Sequence, residues 1–153
     1  MTVQGTFAFV AHCQADAATV MDVLDDVDNW PSWARPLLLQ AQWERWGEGQ
    51  PGGVGAVRRL GAWPVFIREL ILTRDAGGHT YTVISPAVFS HYLGSVTIAE
   101  SPDGGVEVEW RIAFTPKRPA MAPVLRAMLR TTISGLLQRL VATAERRAQG
   151  ARV

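Results

Sequence analysis

Residues 106–148, VEVEWRIAFTPKRPAMAPVLRAMLRTTISGLLQRLVATAERRA, change their hydrophobic period part-way along, and that change decides the fold class. At the start, Val106, Val108, Trp110, Ile112 and Phe114 fall on one face of a strand and Glu107, Glu109 and Arg111 on the other. This is the alternation of an antiparallel sheet that is wet on one side. Past Pro116 and Pro119, Leu125, Leu129, Ile133, Leu136, Leu137, Leu140 and Val141 recur at helical spacing from about Ala122 to Ala148. A helix of roughly 25 residues, about 38 Å long, is more than a peripheral cap. Its apolar stripe predicts that it covers the dry face of the sheet.

The chain before this stretch supplies the rest of that sheet. Strand-like runs occur at PVFIRELILTR, HTYTVIS and FSHYLGSVTIAE, separated by the turn sequences DAGGH, PAV and SPDGG. Earlier, a strand from Leu37 to Trp46 leads through the glycine-rich GEGQPGGVG into VGAVRRLGAW. Val3 to Cys13 reads as the first strand, with Phe7, Phe9 and Ala11 on one face. Asp16 is placed to cap a helix over AATVMDVLDDV, and DNWPSW begins a second short helix, with Asp28 as a cap and Pro36 ending it. One strand, two short helices, six strands and a long helix make an α+β domain spanning residues 1–153.

Composition narrows the function classes. Of the 153 residues 48% are hydrophobic and 19% charged, and no apolar run approaches the roughly 20 residues a membrane span needs, so stable membrane insertion is not expected. The N-terminus lacks a basic segment followed by a continuous apolar core, which makes the cytoplasm the expected location. Cys13 is the single cysteine, so no internal disulfide is possible and packing in a strand is its expected role. His12, His79 and His91 have no metal-ligand spacing; His79 falls in a turn, and no metal or other cofactor is implied. Neither a GxSxG elbow nor a GK[ST] phosphate loop occurs. The late arginines Arg118, Arg126, Arg130, Arg139, Arg146, Arg147 and Arg152 sit between apolar residues as on a solvated helix face. A nucleic-acid partner is therefore not expected, and a protein partner for that face rests on the charge pattern alone.

The order of elements, together with VDNWPSWARPL, GQPGGVGAVRRL, IRELIL ahead of YTV, HYLGSVTIAESPDGGVEVEWRIAFTP and the leucine-rich C-terminal helix, resembles the polyketide cyclase/dehydrase family of the START/Bet v 1-like helix-grip superfamily. The resemblance runs from about Val3 to Glu145. It implies a curved seven-stranded antiparallel sheet gripping the long helix, with a cavity between them entered near the two short helices. It also implies a small apolar ligand such as a lipid or polyketide, which the protein carries or, as a cyclase or aromatase, converts; such a fold occurs as monomer or homodimer. Fold alone does not choose between these roles.

Sheet parity then nominates ligand-facing residues: Tyr92, Val96, Val108, Trp110, Ile112 and Phe114 from the strands, with Leu125, Met128, Leu129 and Leu136 opposite on the helix. Trp30 and Trp33 should close one end of the grip, one indole packed inward and the other at the mouth. The catalytic candidates, should the protein be an enzyme, are Glu69, Arg58, Tyr81 and Tyr92. Glu69 alternates with Val65, Ile67 and Ile71, while Arg68 and Arg74 alternate with Phe66, Leu70 and Leu72, so both faces are partly apolar and the pattern leaves its direction open. Turned inward it would pair with Arg58 or Arg59 and orient a ligand oxygen; turned outward it would make an ordinary cross-strand pair.

Overall fold

The computed structural model describes residues 5–48, 53–62 and 65–151. The chain runs through β1 (Gly5–Cys13), α1 (Ala17–Asp25), a 3-10 turn (Val27–Asn29), α2 (Trp30–Ala34), β2 (Gln40–Arg45), β3 (Val57–Ala62), β4 (Val65–Asp75), β5 (Gly78–Ser85), β6 (Phe89–Glu100) and β7 (Val106–Pro116). A second 3-10 turn, Pro119–Met121, leads into α3 (Ala122–Ala151). The strands form one antiparallel sheet in the order β1-β7-β6-β5-β4-β3-β2, and α3 lies in its curve, packed against β1, β7, α1 and α2. This is the helix-grip fold.

Local chemistry explains the frame. The Asp16 carboxylate accepts from the Thr19 backbone N–H at 2.8 Å and from the Thr19 hydroxyl at 2.7 Å, capping α1 and holding its own pKa below the usual aspartate value. On β7 every residue of the predicted apolar face is buried. On α3, Leu125, Ile133, Leu136, Leu137, Leu140 and Val141 are buried and Leu129 is half-buried. Cys13 is buried, and burial pushes its thiol pKa up, as befits a packing residue.

Three readings change. β2 begins at Gln40 and not Leu37, because the Leu37 and Leu38 N–H groups still donate to the Ala34 carbonyl and carry the chain past the end of α2. Asp28 does not cap α2; its carboxylate accepts from the Trp43 N–H at 3.2 Å and so ties the helical segment to β2. Met128 is exposed, as is Val124 one turn before it, while Leu125 beside them is buried; Met128 therefore lies on the face of α3 turned away from the interior. The glycine-rich turn lies partly outside the described residues.

One glycine shapes the interior directly. Gly94 on β6 stands opposite Tyr81 on β5, and a Cβ at position 94 would come within 2.3 Å of the Tyr81 ring. The missing side chain lets the phenol lie flat across the neighbouring strand.

Candidate functional site

Arg58, on the inner face of β3, is 1% exposed, and Glu69 lies directly opposite it on β4. The Arg58 Nε–H donates to Glu69 Oε1 at 2.6 Å, which settles the direction of Glu69: it points inward. Arg58 Nη1 donates to His79 Nε2 at 3.2 Å. The guanidinium is sandwiched between the Tyr81 ring, 4.5 Å from its centroid, and the Trp30 ring at 5.0 Å, an arrangement that favours a cation over aromatic faces. Tyr81 Oη accepts from the Trp110 indole N–H at 2.9 Å. The Tyr92 ring lies 6.0 Å from that of Tyr81 and packs edge-on against Phe89 at 4.9 Å. All four catalytic candidates are therefore on the inner face, with Arg58, Glu69 and Tyr81 in one cluster.

His79 belongs to this cluster and sequence reasoning missed it by placing it in a turn. It is the second residue of β5, buried, with its ring stacked 5.7 Å from that of Tyr81. The signal was available, since His79, Tyr81 and Val83 alternate along the strand-like run HTYTVIS. Desolvation first, then the charges of Arg58 and Arg74, drive its pKa well below the ordinary histidine value, so the imidazole is neutral. That agrees with Nε2 accepting the Arg58 hydrogen bond. Burial similarly raises the Tyr81 and Tyr92 phenol pKa values, with the Glu69 charge contributing to both, and keeps the hydroxyls protonated.

The short helices supply the roof. The Trp30 indole N–H donates to the carbonyls of Val23 and Leu24 at 3.1 and 3.2 Å, which fixes that ring against the end of α1. Trp33 lies 5.5 Å from Trp30 and is 8% exposed. The expectation that one indole sits at the mouth is thus corrected: both are buried, because α2 is packed against α3 as well as β2. A pair between Arg74 and Asp25 ties β4 to the end of α1 on the same side. The sequence pattern left the direction of this strand's faces open; the register shift between Ile71 and Thr73 sets Arg74 opposite His79, on the inner side.

Two buried donors around Trp30 have no acceptor: Arg58 Nη2 and Trp33 Nε1. Most buried polar groups are paired, and an unpaired one costs roughly 1–3 kcal/mol. Three clefts of about 560, 300 and 140 Å³ lie, respectively, between the β6–β7 hairpin and the start of α1, beside α2 and β2, and at the β4–β5 hairpin. Of the ten predicted ligand-facing residues, Trp30, Trp33, Tyr92, Val96, Val108, Trp110, Ile112, Phe114, Leu125 and Leu129, only Val96 lines any of these three. Nine of the ten are buried members of one hydrophobic cluster, and Leu129 is partly buried against it. Among the described residues no group of His, Cys, Asp or Glu could hold a metal ion, and no helix is long and apolar enough to cross a membrane.

The comparison that decides the family covers nearly the whole chain: residues 4–145 match the family described as polyketide cyclase / dehydrase and lipid transport. The chain belongs to that family. Among solved structures it is similar to the di-domain ARO/CYC StfQ from the steffimycin biosynthetic pathway, at 18% identity and a TM-score of 0.76, covering 94% of this chain and 51% of that one. This family member thus spans about half the length of that protein. It is similar also to a START superfamily protein from Mycobacterium smegmatis, at 14% identity and a TM-score of 0.73, covering 92% and 97% of the two chains. A third likeness is to ginseng major latex-like protein 151 from Panax ginseng, at 14% identity and a TM-score of 0.72, again covering 92% and 97%. At these identities the likenesses establish the fold. No curated protein matches the chain.

Proposed function

We propose that this protein binds a small, largely apolar molecule between sheet and α3, oriented by a ligand oxygen that accepts from the donors around Trp30. The observation that carries this reading is the pair of buried, unpartnered N–H donors, Arg58 Nη2 and Trp33 Nε1, in an otherwise well-bonded interior. A buried ion pair is a poor source of stability, because well-packed apolar residues serve as well or better. An arginine held there by Glu69, His79 and two aromatic faces, with one nitrogen left over, is built as a donor to something else. Apolar burial at about 25 cal/mol per Å² would supply most of the affinity and the polar contact the orientation. Since both donors are buried, a ligand reaches them only when the α1–α2 segment that covers them moves.

The test is to extract the purified protein with organic solvent, identify co-purified molecules by mass spectrometry, and titrate them back while following tryptophan fluorescence. A Trp33→Phe variant should bind more weakly and show a smaller shift than wild type. Recovery of no ligand, together with no fluorescence response to any apolar carbonyl compound, would sink the proposal and leave trapped water as the partner of both donors.

A second reading, a cyclase or aromatase acting on a polyketide-like chain, is favoured by one specific feature: Arg58, Glu69 and Tyr81 converge. A phenol that stays protonated can donate to a carbonyl oxygen while Glu69 accepts a proton. Turnover of a poly-β-keto thioester that survives Trp33→Phe but is lost in Tyr81→Phe, with the fold intact, would select this reading over simple carriage.

A further inference from the structure

Arg59 is adjacent to Arg58 in sequence and faces the opposite side of the sheet. Its cross-strand neighbours are Gln42 on β2 and Arg68 on β4, so two like charges stand directly opposite each other. Arg68 is relieved by Glu44, 2.7 Å from its Nε. Arg59 has no such relief. All fourteen Asp and Glu side chains lie among the described residues, and none forms an ion pair with Arg59 or with Arg35, which follows α2 across the same cleft. The Arg59 guanidinium is spread over the Phe66 ring at 4.7 Å, and its Nε is buried with no hydrogen-bond partner. Between the two arginines is the cleft of about 300 Å³, whose walls include Pro31, Leu39, Gln42 and Phe66.

These features share one explanation. A planar guanidinium clamped on an aromatic ring presents its remaining N–H groups as a fixed fork, the geometry that takes a carboxylate or phosphate in two parallel bonds. A second arginine across the cleft adds charge and a second point of contact. The walls set Pro31, Leu39 and Phe66 beside Gln40 and Gln42, so an oxyanion carried on a small organic body meets both apolar and hydrogen-bonding surface that a bare inorganic ion would not use. We propose that this outer cleft is a binding site for a small organic anion, a carboxylate or phosphate ester attached to an aryl or acyl group, held by Arg59 and Arg35. The site is separate from the sheet–helix interior and does not depend on the function proposed for it.

The experiment is isothermal titration calorimetry at low ionic strength with three probes: benzoate, phenyl phosphate and inorganic phosphate. Benzoate or phenyl phosphate should bind at millimolar concentration or below, and inorganic phosphate more weakly. Which aryl anion binds tighter distinguishes carboxylate from phosphate as the natural group. Arg59→Gln should weaken the tighter probe by about tenfold or more, as loss of a charge-assisted fork requires. Arg35→Gln should weaken it less, and Arg59→Lys should restore only part of the affinity. Added salt should weaken wild-type binding more than binding to Arg59→Gln. Arg111→Gln, at a distant paired arginine, should change nothing. The proposal is overturned by absence of heat with all three probes, by equal affinities in wild type, Arg59→Gln and Arg35→Gln, or by binding that survives in both variants and disappears in Arg58→Met.

Discussion

The interior has two halves that follow different rules. Under α3, where β1 and β7 meet the helix, the side chains are Phe7, Val108, Ile112 and Phe114 against Leu136, Leu137 and Leu140, all buried and all apolar. Toward β3, β4 and β5, the same inner face carries Arg58, Glu69, His79 and Tyr81, equally buried, with Trp30 as cover. The first half needs only volume and pattern to be right. The second needs each polar atom to meet a partner, and a mistake there costs more than a cavity does. A fold able to form on the dry half alone has freedom to hold an expensive polar cluster in the other, and that is where chemistry specific to this protein belongs.

The largest expected effect tests this division directly. Glu69→Ala leaves the Arg58 cation buried with only His79 and two rings for company, and should cost about 3–5 kcal/mol in urea denaturation. The double variant Arg58→Met/Glu69→Leu should recover most of that stability, because it removes both charges and fills the space. It should also abolish the fluorescence response to an oxygen-bearing ligand. A double variant as unstable as Glu69→Ala would show that the polar half is structural, erasing the contrast between the halves.

The dry half offers the counterpart. Leu140 is fully buried in α3, and Leu140→Ala should cost about 2–5 kcal/mol, the usual sum of lost burial and residual cavity. It should leave the affinity of the folded protein for a ligand largely unchanged, since it touches none of the polar groups. A loss of affinity as large as that of Trp33→Phe would mean that the two halves are not separable.

The smallest effect is a dependence on pH. The folded state holds His79 neutral with a depressed pKa, whereas the unfolded chain protonates it near pH 6.5. Below that pH the unfolded state binds the extra proton, so this contribution to stability is present in full above about 6.5 and is lost as pH falls toward the folded pKa. Denaturation midpoints measured between about pH 5 and 7.5 should slope upward with pH, and His79→Gln should flatten part of that slope. An identical slope in the variant would place the titrating group elsewhere.

The dry half was legible because it obeys simple periods. Alternation on β7 and the stripe on α3 each follow from one packing surface, and the Asp16 cap follows from a local hydrogen bond. The polar half was legible only as a set of residues. Glu69 was recognised as the informative position, but its direction depended on a strand with apolar residues on both faces. Parity counting then failed on β4, where one shift lies between Arg68 and Glu69 and another between Ile71 and Thr73. The direction of Arg74 stayed open for that reason, and His79, the first residue of the run HTYTVIS, was grouped with the turn before it. The two tryptophans illustrate a different limit. Nothing local reveals that α3 would pack against α2 and bury both, because that contact joins segments about a hundred residues apart.

The bare backbone at Gly94 gives the fold a means of variation that leaves every charge in place. Tyr81 reaches Trp110 across β6 only because position 94 contributes no side-chain atoms, and the ring in turn forms one wall of the Arg58 sandwich. A single methyl at 94 would tilt the phenol out of that plane, altering the shape of the interior and the angle at which its donors are presented. Descendants of such a chain could thus diverge in what they admit through steric changes alone, with the ionic cluster inherited intact.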